Sequence, residues 1–273
     1  MKVRGRLPGG RAADERAADE RAAEERAAME RGIVQPVTTA NTPTLAPRVL
    51  LAATQNDFQW LADRIAPQVA AKRNLYASRL IQTTSEAGEL TVAGPFMGSA
   101  YAVMLLETLL TWGAGEFLFL GWCGGIHRGI EVGDLLWATD AFIDEGTSPS
   151  YGQEWQGRVS APAGRLAKRA AKVLAREAIA FRQGPLWTTD AVFRETPSKV
   201  KRFQQAGALA VEMEVSALYS AAAFHKMPCL ALLTVSDLLT DGTWRPGFKA
   251  ERFNTNRRRL CEAALKICLE KEP

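Results

Sequence analysis

Three carboxylates stand in otherwise apolar sequence. Glu212 and Glu214 lie in Ala210-Val-Glu-Met-Glu-Val-Ser-Ala-Leu-Tyr219, and Asp237 lies in Thr234-Val-Ser-Asp-Leu238. A buried carboxylate is costly unless it is paired or hydrogen-bonded. Chains keep such groups where they perform acid–base work or bind a polar ligand. Each also has a local alternative. The helix dipole favours acids in a first turn, which would account for Glu212 and Glu214, and Asp237 could be a cap or turn residue after a strand. The two glutamates are two residues apart and cannot share one helix face.

The surrounding pattern supplies elements to hold these groups. Val49–Thr54, Leu90–Ala93, Phe117–Leu120, Gly133–Thr139 and Cys229–Val235 are short apolar runs that read as strands. Helices are expected over Asp57–Ile65, Ala100–Trp112, Ala161–Glu177, Ser198–Gln205, Glu214–Phe224 and Lys249–Leu269, with Glu212 and Glu214 at the opening of the fifth. Alternating strands and helices predict an α/β fold: a single domain with a mixed, largely parallel sheet flanked by helices. Ligands of such sheets bind beyond the carboxyl ends of the strands. Gly94–Gly98, Gly121–Gly125, Thr188–Phe193 and Ser236–Asp237 all fall there, the glycine segments reading as turns.

Composition narrows the classes. The chain has 273 residues, 47% hydrophobic, with 34 basic and 30 acidic side chains and a net charge of +4. That balance gives no reason to expect nucleic acid or an anionic membrane as partner, and no apolar run approaches the ~20 residues of a bilayer span. The four cysteines form no C-x-x-C pair, which, without a signal peptide, points to the cytoplasm. Two histidines, His127 and His225, exclude a His-rich metal site, and no metal is expected. Residues Arg11–Arg31 repeat Arg-Ala-Ala-x-Glu with a period of five, x being Asp, Asp, Glu and Met, a low-complexity tail that is helical or disordered. It gives no fixed apolar stripe, and Met29 is a second candidate start. Residues 1–32 are read as this tail, 33–47 as a Thr/Pro linker, and 48–273 as the domain. The basic run Arg257–Arg259 reads as a solvated face.

Val211-Glu-Met-Glu-Val-Ser-Ala resembles the E-M-E-x-x-A signature of the nucleoside phosphorylase superfamily, which includes purine nucleoside and uridine phosphorylases and methylthioadenosine/adenosylhomocysteine nucleosidases. Gly94–Gly98, Gly121-Trp-Cys-Gly-Gly125, Val132-Gly-Asp134, Asp144-Glu-Gly-Thr-Ser148, Thr189-Asp-Ala-Val-Phe193 and Val235-Ser-Asp237 follow in family order. The resemblance implies cleavage of the N-glycosidic bond of a nucleoside, a purine being favoured by Val-Ser-Asp237. Glu214, with Met213 and Glu212, would hold the ribose. Phe193 and Ser236 would meet the base, and Asp237 would be catalytic, donating a proton as negative charge develops on the leaving base. A homo-oligomer acting on a small-molecule nucleoside without cofactor is implied.

The departures concern the nucleophile. Phosphorylases of this family place an arginine two residues before the first glycine of the turn, and here that position is Phe119. The Thr or Ser that contacts phosphate is Trp122, and the early G-D-P-x-R loop is replaced by Ala52-Ala-Thr-Gln-Asn56. Either water attacks, as in the nucleosidases, or phosphate remains a co-substrate held around Gly98, Gly121 and Trp122 by other cations. Arg194 and Arg245 are the candidates, with Lys249 read as surface charge. Trp122 and Trp187 are expected to narrow the pocket. A nucleoside-binding protein without turnover is the non-enzymatic alternative.

Overall fold

The computed structural model describes residues 32–86 and 88–270. The chain divides into two compact units, Met1–Val37 and Thr38–Pro273. In the first, residues 32–37 form neither helix nor strand, and the charged repeat lies outside the described residues. The second carries β1 (Arg48–Ala52), α1 (Gln55–Arg64), β2 (Val69–Leu75), β3 (Ser78–Ser85), β4 (Gly88–Gly94), α2 (Ser99–Thr111), β5 (Glu116–Gly125) and β6 (Leu135–Asp144). It continues with β7 (Arg158–Ser160), α3 (Gly164–Arg176), β8 (Arg182–Thr189), α4 (Pro197–Gln205), β9 (Ala210–Glu212), α5 (Val215–Phe224), β10 (Cys229–Leu238), β11 (Arg245–Pro246) and α6 (Glu251–Leu269).

One mixed sheet runs β11-β10-β6-β8-β9-β5-β1-β4-β3-β2, and β10 also pairs with β5, closing its inner strands on themselves. The pairs β1–β4, β1–β5, β10–β5, β6–β8 and β8–β9 are parallel. The β2–β3–β4 margin is antiparallel. Strand periodicity explains the layers. Phe117, Phe119, Ala231 and Leu233 face one way, onto α2 and α5. Leu118, Leu120, Leu230 and Leu232 face the other, onto α1, α3 and α6. β10 reads as a continuous apolar run because both its edges and both its faces are covered.

Two details of this frame shape the site. Gly121–Gly125, read as a turn, is the last stretch of β5. Gly124 pairs with Asp237 across a register shift in β10 between Val235 and Asp237, and a Cβ at Gly124 would sit 3.2 Å from Asp237 Oδ2 and 2.6 Å from Leu239. The bulge re-aims Asp237 and the missing side chain makes room for it. At Gly94 (φ 156°) a Cβ would lie 2.1 Å from the carbonyl oxygen of Ala52. Only glycine lets the end of β4 approach β1 so closely.

Candidate active site

The strand ends open onto a cleft with two lobes that share Met97, Trp122, Glu212 and Met213. The larger, of 700 Å³, is lined further by Thr54, Gln55 and Asn56 from the start of α1, by Pro95, Phe96 and Tyr101, and by Glu214. The second, of 540 Å³, adds Cys123, Gly124, Phe193, Glu195, Ser236, Asp237, Trp244 and Phe248. No arginine, lysine or histidine lines either lobe among the described residues. Nor does any cluster there combine enough His, Cys, Asp and Glu to hold a metal ion.

Glu212 and Glu214 divide their work by geometry. Glu212 ends β9, one register earlier than the helix-opening position expected for it. Its carboxylate accepts the amides of Glu214 (2.6 Å) and Val215 (2.7 Å) and the hydroxyl of Thr188. It therefore caps α5, supplying acceptors to amides that lack intrahelical partners. Glu214 occupies the N-cap position itself, yet its side chain does not cap the helix. One oxygen accepts the Gly98 amide at 2.6 Å, and the group faces the larger lobe. Ser99 Oγ donates to the Met213 carbonyl at 2.7 Å, tying the start of α2 to this segment.

Burial pushes both carboxyl groups upward, with the charge of Glu214 adding to the shift of Glu212. The folded protein therefore keeps protons that the unfolded chain loses near pH 4.3, and stability falls as pH rises through the raised values. Glu214→Gln removes one such group. Its melting temperature should match the parent's near pH 4, exceed it increasingly as pH rises to about 7, and hold a constant gap above that. A gap of one size throughout that range would assign Glu214's cost to packing instead.

Asp237 is anchored at both oxygens. Ser236 Oγ donates to Oδ1 at 2.6 Å, and Trp244 Nε1 donates to Oδ2 at 2.9 Å. Phe193 is 97% exposed. It follows Val192 in a single 3₁₀ turn, Val192–Arg194, at the mouth of the second lobe, so local apolarity reflects a free ring and not a core position.

Trp122 separates the lobes. Its Nε1 donates to Asp57 Oδ2 at 2.6 Å, and Arg257 Nη1 donates to Asp57 Oδ1, also at 2.6 Å. Asp57 is 2% and Arg257 8% exposed. Phe253 meets the indole edge-on at 4.9 Å and Phe248 lies 6.2 Å away. Thr54 accepts the Asp57 amide at 3.2 Å and starts α1 so that the carboxylate points at the indole.

Several expectations are corrected by this arrangement. Arg257 is not part of a solvated face. It repeats with Phe253, Leu260, Cys261 and Ala264 on the buried side of α6, a spacing that the sequence already contained. Arg194 and Arg245 do not line the cleft; Arg245 pairs with Asp241 at 2.9 Å and donates to Thr240. Trp187 is fully buried, stacked on Phe203 at 4.4 Å with its indole donating to Asp144, and does not narrow the pocket. Phe119 packs against Phe96 in the core, and a Cβ on Gly121 would strike its ring at 2.8 Å. Gly98 (φ 86°) enters only through its amide. Asp57, Trp244 and Glu195 were not legible as site residues.

Known proteins share both the sequence and the shape. Residues 47–270 match the profile described as the Phosphorylase superfamily. A purine nucleoside phosphorylase, DeoD-type, of Bacillus cytotoxicus (strain NVH 391-98) is 28% identical over 233 residues, 83% of this chain and 95% of that one. Uridine phosphorylase from Vibrio fischeri ES114 superposes with a TM-score of 0.69 at 16% identity, covering 86% of this chain and 100% of that one. The 5′-methylthioadenosine/S-adenosyl homocysteine nucleosidase of Campylobacter jejuni gives 0.68 at 21% identity, over 82% and 99%.

Proposed function

Because the chain belongs to the phosphorylase superfamily, we propose that it cleaves the N-glycosidic bond of a purine nucleoside and that water, not phosphate, is its nucleophile. The observation that carries the choice of water is the lining of the cleft. Four carboxyl groups, Glu195, Glu212, Glu214 and Asp237, face it and, among the described residues, no basic side chain does. A phosphate dianion without arginine or lysine is poorly held. Arg257 lies 5.9 Å from the ring of Trp122, the residue at the phosphate-contacting position of the phosphorylases, and is already paired with Asp57. The indole of Trp122 fills the position itself. Thr54, Gln55 and Asn56 offer the larger lobe neutral groups that suit a water molecule.

In this reading the sugar lies against Glu214 and Met213, and the base lies in the second lobe between Phe193 and Asp237. The Glu214 carboxylate holds the ribose hydroxyls and stabilises the oxocarbenium character that grows on the sugar. Asp237, fixed by Ser236 and Trp244, acts on the leaving base. No cofactor enters. The four free, buried cysteines are consistent with a cytoplasmic protein, and no helix among the described residues is long and apolar enough to cross a membrane. Exposed Tyr76, Met104 and Phe224 offer apolar surface for a homo-oligomer.

The deciding experiment measures base release from a nucleoside panel with and without inorganic phosphate. The rate should not depend on phosphate, and free ribose should accumulate. Phosphate-dependent release of ribose 1-phosphate would overturn the choice of water. Tight nucleoside binding with no base release would make the protein a binder.

A further inference from the structure

The second lobe holds a carboxyl group that the reaction above leaves without a task. Glu195 follows the 3₁₀ turn that carries Phe193 and lines the same lobe as Asp237. It is half-buried, and among the described residues its side chain has no hydrogen bond or ion pair. Asp237, by contrast, accepts a hydrogen bond at each oxygen and is held in one orientation.

The other ionisable groups that line the lobe are acidic. Glu212 from β9 and the Cys123 thiol from β5 line the lobe. Lys199 of α4 pairs with Asp144 at 2.8 Å, and Arg245 pairs with Asp241. Arg194 and Asp190 lie on the same loop as Glu195 and outside the lining, the latter accepting the Gly146 amide.

We propose that Glu195 is a second catalytic carboxyl group of the base site, carrying the proton that the leaving base takes up while Asp237 orients that base. The proposal rests on the nucleoside-cleaving reading. A carboxyl group in a partly dry cavity beside a second carboxyl group resists ionisation. Burial, and then the charge of Asp237, push the Glu195 carboxyl up to about 7. Its acid form is therefore present at neutral pH and disappears above it.

The step balances as follows. The bond between the anomeric carbon and the base nitrogen breaks, and its electron pair passes to the base. The Glu195 proton goes to the base as that charge develops. Water adds to the anomeric carbon, and the proton it loses goes to solvent, from which Glu195 is reprotonated.

The test compares Glu195→Gln and Glu195→Asp with the parent enzyme on a purine nucleoside and on its N7-methylated cation, whose base leaves without needing a proton. The parent's kcat/KM should fall above about pH 7, as the acid form is lost. Glu195→Gln should lower kcat/KM for the neutral nucleoside by about 10- to 100-fold and abolish that alkaline limb. It should leave the cation's rate near the parent's. Glu195→Asp should keep the limb. An unchanged rate and limb in Glu195→Gln, or equal loss on both substrates, would overturn the assignment and leave the nucleoside-cleaving reading intact. If the parent releases no base from any nucleoside, that reading fails and the role of Glu195 fails with it.

Discussion

Replacing Asp237 with asparagine is expected to lower purine nucleoside turnover by ~10²-fold or more, because proton transfer to a base that is no longer oriented loses its geometry. The substitution keeps the shape of the side chain and removes its charge. One carboxylate oxygen becomes an amide NH₂ that must face either the Trp244 indole N–H or the Ser236 hydroxyl, where an oxygen now accepts. The variant should fold, because the position is at the cleft and not in the core. Its kcat should fall much further than its affinity for the nucleoside, since the ribose contacts of Glu214 stay in place. Single-turnover base release, beside equilibrium nucleoside binding, separates the two. Unchanged turnover would remove Asp237 from the mechanism. In combination with Glu195→Gln, the two losses should be less than additive, because both act on one proton.

Removing the Arg257 side chain is expected to destabilise the fold by about 3–5 kcal/mol, as for other buried pairs deprived of one partner. Arg257→Ala takes away the cation paired with the Asp57 carboxyl, 2% exposed in the parent, and leaves it the Trp122 indole and the Cys261 thiol as partners. Denaturant unfolding should show a lower midpoint with little change in slope. A double variant, Asp57→Leu with Arg257→Met, should recover most of the loss, since an apolar replacement of the whole pair is commonly neutral or stabilising. If the single and double variants lose equally, the ion pair is not what holds this corner together. The single variant should also weaken substrate binding, because the indole dividing the two lobes loses the carboxylate that orients it.

The parts of the molecule that were legible from the residues share a physical cause. β10 and β5 are buried on both faces, so their strands appear as unbroken apolar runs. α5 and its Glu-Met-Glu opening could be read because capping is local: Glu212 reaches amides only two and three residues away. The β2–β3 hairpin was not legible. β2 is at the margin of the sheet, largely exposed and polar, and carries little periodic signal.

Nearest-neighbour chemistry was therefore determined by the sequence alone: an α/β chain with two glutamates at a helix opening, an aspartate at a strand end, and a departure from the phosphorylase pattern at Phe119 and Trp122. Only the tertiary structure shows what surrounds that departure. Asp57 and Arg257 are 200 residues apart in the chain. No local pattern could show that they close on one indole and consume the charge a phosphate would need. The same holds for Glu195, whose proximity to Asp237 arises when a surface loop after β8 folds over the bulged end of β10. Long-range pairing sets which charges cancel and which remain free, and on that pairing rests the proposal of water as nucleophile.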